Sequence, residues 1–83
     1  MSKNKIELTP ELNVDELLTS MANKYNDEDV DCTDGVKINF DDEWVHLRKS
    51  NTEPIIRIYT ESTSLQKASA LANRFIKEIG ELY

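Results

Sequence analysis

Three short runs of alternating apolar residues, enclosed between two stretches of helical periodicity, leave this chain few folds. Val36, Ile38 and Phe40 alternate with Lys37 and Asn39. Val45 and Leu47 alternate with Trp44, His46 and Arg48. Ile56 and Ile58 alternate with Arg57 and Tyr59. Each run predicts a strand with one buried face. Asp34-Gly35 is a hairpin turn signal ahead of the first run, and Asp41-Asp42-Glu43 makes the next turn. A fourth strand is expected over residues 29–32, where apolar content is poor.

The flanking periodicity is of a different kind. Val14, Leu17, Leu18, Met21, Ala22 and Tyr25 follow the spacing of one helix face. Asn13 with Glu16 three residues on forms a plausible capping box, and Thr9-Pro10-Glu11 offers an alternative start one turn earlier. Near the other end, Leu65, Ala68, Leu71, Ala72, Phe75, Ile76 and Ile79 make a second stripe. That helix is expected to open at Thr63 or Ser64 and to end at Gly80. Residues 5–8 look extended, and residues 1–8 are read as a hinge or linker segment. The expected architecture is α+β: a four-stranded antiparallel sheet with two helices packed on one face. The other sheet face is then bare.

At 83 residues this is a single domain, 1–83, with one modest core. The net charge of −6 argues against nucleic acid or an anionic membrane as the main partner, since both require a basic footprint. The charge is unevenly spread, however. Residues 44–60 hold Arg48, Lys49 and Arg57 against Glu53 alone, +2, which leaves −8 for the remainder. A local basic island on an acidic chain suits a small anionic ligand. Cys32 is the only cysteine, so no internal disulfide can form, and it is read as a half-buried thiol. The start of the chain has no apolar stretch that would read as a signal peptide, and cytoplasm is the expected compartment.

The hairpin register can be argued from the faces. If Arg48 lies opposite Arg57, then His46 faces Tyr59, Leu47 faces Ile58 and Val45 faces Thr60. Leu47, Ile56 and Ile58 then enter the core, while His46, Arg48, Arg57 and Tyr59 share the bare face. A shift by one residue would mix the faces. Two arginines side by side repel, unless an anion lies between them. The connecting loop, Ser50-Asn51-Thr52-Glu53-Pro54, offers hydroxyls at Ser50 and Thr52, an amide at Asn51, and a backbone suited to an anion nest. Arginine supplies forked donors that match phosphate oxygens. The same residue types are also ordinary turn formers, and exposed arginines are commonly only solvated.

The run Trp44-Val45-His46-Leu47-Arg48-Lys49-Ser50-Asn51-Thr52-Glu53-Pro54, preceded by Asp34-Gly35-Val36 and followed by Arg57 and Tyr59, resembles the C-terminal domain of the α-D-phosphohexomutases, in their phosphomannomutase/phosphoglucomutase branch. The flanking helices fit, so the resemblance covers nearly the whole chain. It implies a TATA-binding-protein-like fold without implying DNA binding. It also implies that loop 48–54 holds the non-transferred phosphate of a mannose or glucose 1- or 6-phosphate. Arg48, Ser50, Asn51 and Thr52 are then the phosphate contacts, with Arg57 in support. Related phosphoglucosamine mutases tend to carry glycine at the position of Asn51.

The resemblance implies, further, that the phosphoserine nucleophile, the magnesium-binding aspartate loop and the sugar-recognition loop lie in preceding domains of a longer polypeptide. No catalytic residue and no metal ligand is expected in this chain, Mg2+ is expected elsewhere in the parent enzyme, and the isolated domain is expected to be inactive. His46 is read as a face-packing residue, and Asp27-Glu28-Asp29 and Asp41-Asp42-Glu43 as solvated turns. The competing expectation is a non-catalytic interaction module that uses the open sheet face, with Trp44 and Tyr59 as anchors.

Overall fold

The computed structural model describes residues 2–8, 13–32, 35–50 and 55–82. Its elements in chain order are β1 (Ser2–Glu7), α1 (Val14–Lys24), β2 (Asp29–Asp31), β3 (Val36–Asn39), β4 (Trp44–Lys49), β5 (Ile55–Glu61) and α2 (Leu65–Leu82). The strands form one antiparallel sheet in the order β1-β5-β4-β3-β2. The α+β expectation therefore holds, with five strands in place of four.

The additional strand is β1, in the segment expected as a linker. Ser2 pairs with Thr60, Asn4 with Ile58 and Ile6 with Ile56 along the outer edge of β5. Alternation persists in burial: Ser2, Asn4 and Ile6 are half-buried, whereas Lys3, Lys5 and Glu7 are exposed. The strand has a single strong apolar residue, Ile6, because it covers the margin of the core and its backbone hydrogen bonds to β5 do most of the holding. Leu8, just beyond it, is buried in the core.

Both helices lie on one side of the sheet. Val36 and Ile38 from β3, Val45 and Leu47 from β4, and Ile56 and Ile58 from β5 join Leu17, Leu18 and Met21 of α1 and Leu71, Ala72, Phe75 and Ile79 of α2 in one apolar cluster. Ile38, Val45, Leu47, Ile56 and Ile58 have no solvent exposure. Thr60, equally buried, donates its hydroxyl hydrogen to the Ala68 carbonyl at 2.7 Å and so ties β5 to the first turns of α2. That bond satisfies a polar group that would otherwise destabilise the interior.

Capping sets the helix starts. The Asn13 side chain accepts a hydrogen bond from the Glu16 N–H at 3.1 Å, and Ser64 Oγ accepts one from the Lys67 N–H at 3.1 Å. The alternative start at Thr9-Pro10-Glu11 lies outside the described residues. Two expectations for α2 are corrected. Leu65 is 68% exposed and does not join the core, because it occupies the first helical position, beyond the packed stripe. Gly80 does not end the helix, which continues to Leu82. Gly80 is exposed, and a Cβ there would meet nothing within 4 Å, so the helix passes through it. Cys32, expected half-buried, is exposed.

The helices are joined at one end by a polar cluster. The Tyr25 hydroxyl donates to the Glu78 carboxylate, Arg74 Nη2 donates to the Tyr25 oxygen at 3.0 Å, and Lys24 Nζ lies 2.6 Å from Glu78 Oε1. Phe40 and Phe75 flank Tyr25, with ring centroids 5.9 and 5.2 Å away. Burial, followed by the hydrogen bond to Glu78, pushes the Tyr25 hydroxyl above its ordinary pKa. Burial alone would push Glu78 up, but its bonds to Lys24 and Tyr25, reinforced by the Lys24 and Arg74 charges, hold it below its ordinary value.

Candidate functional site: the open sheet face at the β4–β5 loop

The register of β4 and β5 is the one argued from the sequence. Arg48 lies opposite Arg57, Leu47 opposite Ile58, His46 opposite Tyr59 and Val45 opposite Thr60. Because Val45, Leu47, Ile56 and Ile58 are in the core, their neighbours along each strand project from the helix-free face. Arg48 and Arg57 are both exposed, at the loop end of their strands. His46 and Tyr59 stand one position further back, with ring centroids 6.4 Å apart. Lys37 and Trp44 continue the face onto β3 and β4, the lysine ammonium 4.8 Å from the centre of the indole ring.

Backbone pairing brackets the loop. The Ser50 N–H donates to the Ile55 carbonyl at 3.2 Å, so Ser50 and Ile55 remain joined where the strands end. Ser50 is half-buried and follows Arg48 at the spacing that returns a side chain to the same face. The structure thus brings together Arg48, Ser50 and Arg57 among the five residues expected to contact phosphate. The other two, Asn51 and Thr52, lie outside the described residues, as do Glu53 and Pro54.

Lys49, the third cation of the basic island, leaves by the opposite face. Its ammonium forms an ion pair with Asp15 Oδ1 at 2.8 Å, which links the end of β4 to the first turn of α1. Such an exposed pair contributes at most about 1 kcal/mol, but it fixes which way Lys49 turns. By strand alternation Arg48 and Arg57 stand at open-face positions, whereas Lys49 turns to the helical side. Sequence counting alone grouped all three.

Sequence reasoning missed a second feature. Pairing of β1 with β5 sets Lys5 opposite Arg57 and Lys3 opposite Tyr59. Both lysines are exposed on the open face. Lys3, Lys5, Arg57 and Tyr59 line a shallow depression of about 300 Å³ with Asn4 at its border. The signal was present in the alternation Lys3, Lys5, Glu7 against Ser2, Asn4, Ile6, but polar residues on both faces concealed it. A larger cleft, about 550 Å³, lies where α1 meets the ends of β3 and β4, between Leu18, Thr19, Cys32 and Gly35, with Arg48 and Lys49 at its rim.

Among the described residues, no group of His, Cys, Asp and Glu is arranged to hold a metal ion. No helix in the described residues is long and apolar enough to cross a membrane. What the arrangement offers chemically is a pair of guanidinium groups and a hydroxyl at a loop mouth, a set that can bind and orient an anion.

Residues 5–78 match the family described as phosphoglucomutase/phosphomannomutase, C-terminal domain. The chain is 40% identical over 77 residues, 90% of its length, to a phosphoglucosamine/phosphogalactosamine mutase of Sulfurisphaera tokodaii. It is 52% identical over 52 residues, 63% of its length, to a phosphoglucomutase/phosphomannomutase of Thermococcus kodakarensis. It is also 45% identical over 49 residues, 59% of its length, to a probable phosphoglucosamine mutase of Methanopyrus kandleri. These matches span 17%, 11% and 11% of the respective relatives.

Proposed function

The chain belongs to the phosphoglucomutase/phosphomannomutase C-terminal domain family, and we propose that, within a longer mutase, it grips the phosphate of a hexose phosphate that is not being transferred. The alignment of Arg48 with Arg57 on the open face, at the loop end of β4 and β5, carries this reading. Like charges directly opposite each other destabilise a strand pair. A phosphate dianion between them turns that repulsion into two forked, charge-assisted contacts. Ser50 adds a hydroxyl beside Arg48, and Asn51 and Thr52 of the same loop complete the set.

The reaction assigned to the parent protein is interconversion of hexose 1-phosphate and 6-phosphate through a phosphoserine and a bisphosphate intermediate. On this reading the domain itself transfers no phosphate. Its contribution is orientation: binding energy gathered at the remote phosphate holds the reacting hydroxyl in line with the phosphoserine supplied by another domain. On this reading magnesium is held by that other part of the polypeptide. The bisphosphate must reorient between half-reactions, which calls for a grip that opens and closes. Because Ser2–Glu7 is tied along β5, that movement carries β1 with the domain rather than bending within it.

Mannose and glucose phosphates are the proposed substrates. Asn51, where phosphoglucosamine mutases tend to carry glycine, and the phosphoglucomutase/phosphomannomutase name of the Thermococcus relative support this choice. The test is Arg48→Ala in the full-length enzyme. KM should rise and kcat/KM should fall by about a hundredfold, with the circular dichroism spectrum preserved, as expected for loss of a substrate-positioning contact. Wild-type kinetics in that variant would refute the assignment.

A further inference from the structure

Three positions in register cross the sheet at the loop end of the open face: Arg48 on β4, Arg57 on β5 and Lys5 on β1. Lys3 stands one step behind, opposite Tyr59. Among the described residues, no carboxylate forms an ion pair with Lys3, Lys5 or Arg57. Three cations abreast in a chain of net charge −6 are hard to explain by chance, since the repulsion between neighbours recurs at both strand pairs. We propose that Lys5 is a third cation of the phosphate site, with Lys3 as a weaker outer one, so that a bound phosphate dianion is neutralised from both sides of Arg57.

Reach supports this assignment. Adjacent strands lie about 4.8 Å apart, so an ion centred above Arg57 is about one strand spacing from the Lys5 backbone, well within the span of an extended lysine. Arg48 is one strand spacing from Arg57 on the opposite side. Both cations are then within one screening length, about 8 Å, at physiological salt. The depression lined by Lys3, Lys5, Arg57 and Tyr59 supplies the floor of the outer part. Lysines on an edge strand also discourage pairing with another chain, but that role requires only charge and is indifferent to what lies opposite. It would not change affinity for phosphate.

The proposal rests on the phosphate-grip reading, and the experiment separates the two. Inorganic phosphate is titrated into the 83-residue chain at low ionic strength, with amide shifts as the readout and the amide spectrum as the check on folding. Arg48→Ala tests the grip itself. Lys5→Gln tests the inference, Lys5→Arg its rescue, and Lys37→Gln controls for net charge, because Lys37 is on the same face but two strands from Arg57.

Lys5→Gln should weaken binding about three- to tenfold, between the value of an exposed ion pair and that of a charge-assisted hydrogen bond. Lys5→Arg should restore most of it, and Lys37→Gln should change it less than about twofold. Equal losses for Lys5→Gln and Lys37→Gln, with Arg48→Ala still damaging, would overturn the inference and leave the grip intact. No effect of Arg48→Ala, or no phosphate-dependent shifts at all, would overturn both.

Discussion

Gly35 shows how a single residue can hold the hairpin that supports the site. Its φ is +77°, a region that disfavours every residue with a side chain. A Cβ there would also collide with the Leu47 carbonyl oxygen and come within 3.3 Å of the Arg48 Cα. Gly35→Ala should therefore destabilise the domain by about 2–3 kcal/mol, combining backbone strain with the collision. For a domain of this size that lowers Tm by roughly 10–20 °C, measurable by thermal denaturation. Asp34 of the expected Asp34-Gly35 turn lies outside the described residues, and the close approach of Gly35 to β4 was not foreseen, because a dipeptide signal reports local conformation and says nothing about a strand further along the chain. Lys49 was misgrouped for a related reason: charge counting ignores which face of the sheet a residue occupies.

At the scale of elements, alternation was the most legible signal. It gave β3, β4, β5 and the Arg48–Arg57 register, since any slip would have buried charge and exposed the core. It failed for β1, where the inner positions Ser2 and Asn4 are polar and the strand is held mainly through its backbone. Helix starts were legible through their caps, and the end of α2 was not. A glycine stops a helix when the following chain departs, and here the helix continues to Leu82. Since the Asn13 side chain accepts from Glu16 N–H, Asn13→Ala should cost about 1 kcal/mol by chemical denaturation, with an unchanged denaturant slope. An unchanged midpoint would show that the Asn13 side chain contributes nothing to the start of α1. Of the proposed site, the alignment of Arg48 with Arg57 followed from the register, whereas the placement of Lys3 and Lys5 beside it required the topology.

For the molecule as a whole, the cluster of Tyr25, Lys24, Arg74 and Glu78 links stability to pH with a definite sign. Glu78 is held below its ordinary value of 4.5, so its contribution is complete above that pH and lost as the pH falls toward the lowered folded-state value. Tyr25 and Lys24 are raised from 10.0 and 10.5, Tyr25 chiefly by burial and Lys24 by its bond to Glu78. Their contributions are complete below those values and are lost as the pH rises past them. Stability measured by urea denaturation should therefore exceed that of Glu78→Gln throughout the neutral range. The gap should close as the pH drops below 4.5, and a gap constant down to acid denaturation would show that Glu78 ionisation plays no part.

The antiparallel run of β1 along β5 also has a geometric consequence. Ser2 is beside Thr60 and Glu7 beside Ile55, so the chain joins the sheet at the end remote from the Ser50–Ile55 bracket. Five residues of extended strand, about 17 Å, separate the two. That distance is a lever arm. A rotation of about 10° around the chain at Ser2 would sweep the loop through an arc of about 3 Å, roughly the length of one hydrogen bond. A small twist at that joint would therefore be enough to make or break contacts at the loop end of the open face, including those of the proposed phosphate grip, without deforming the sheet or its core.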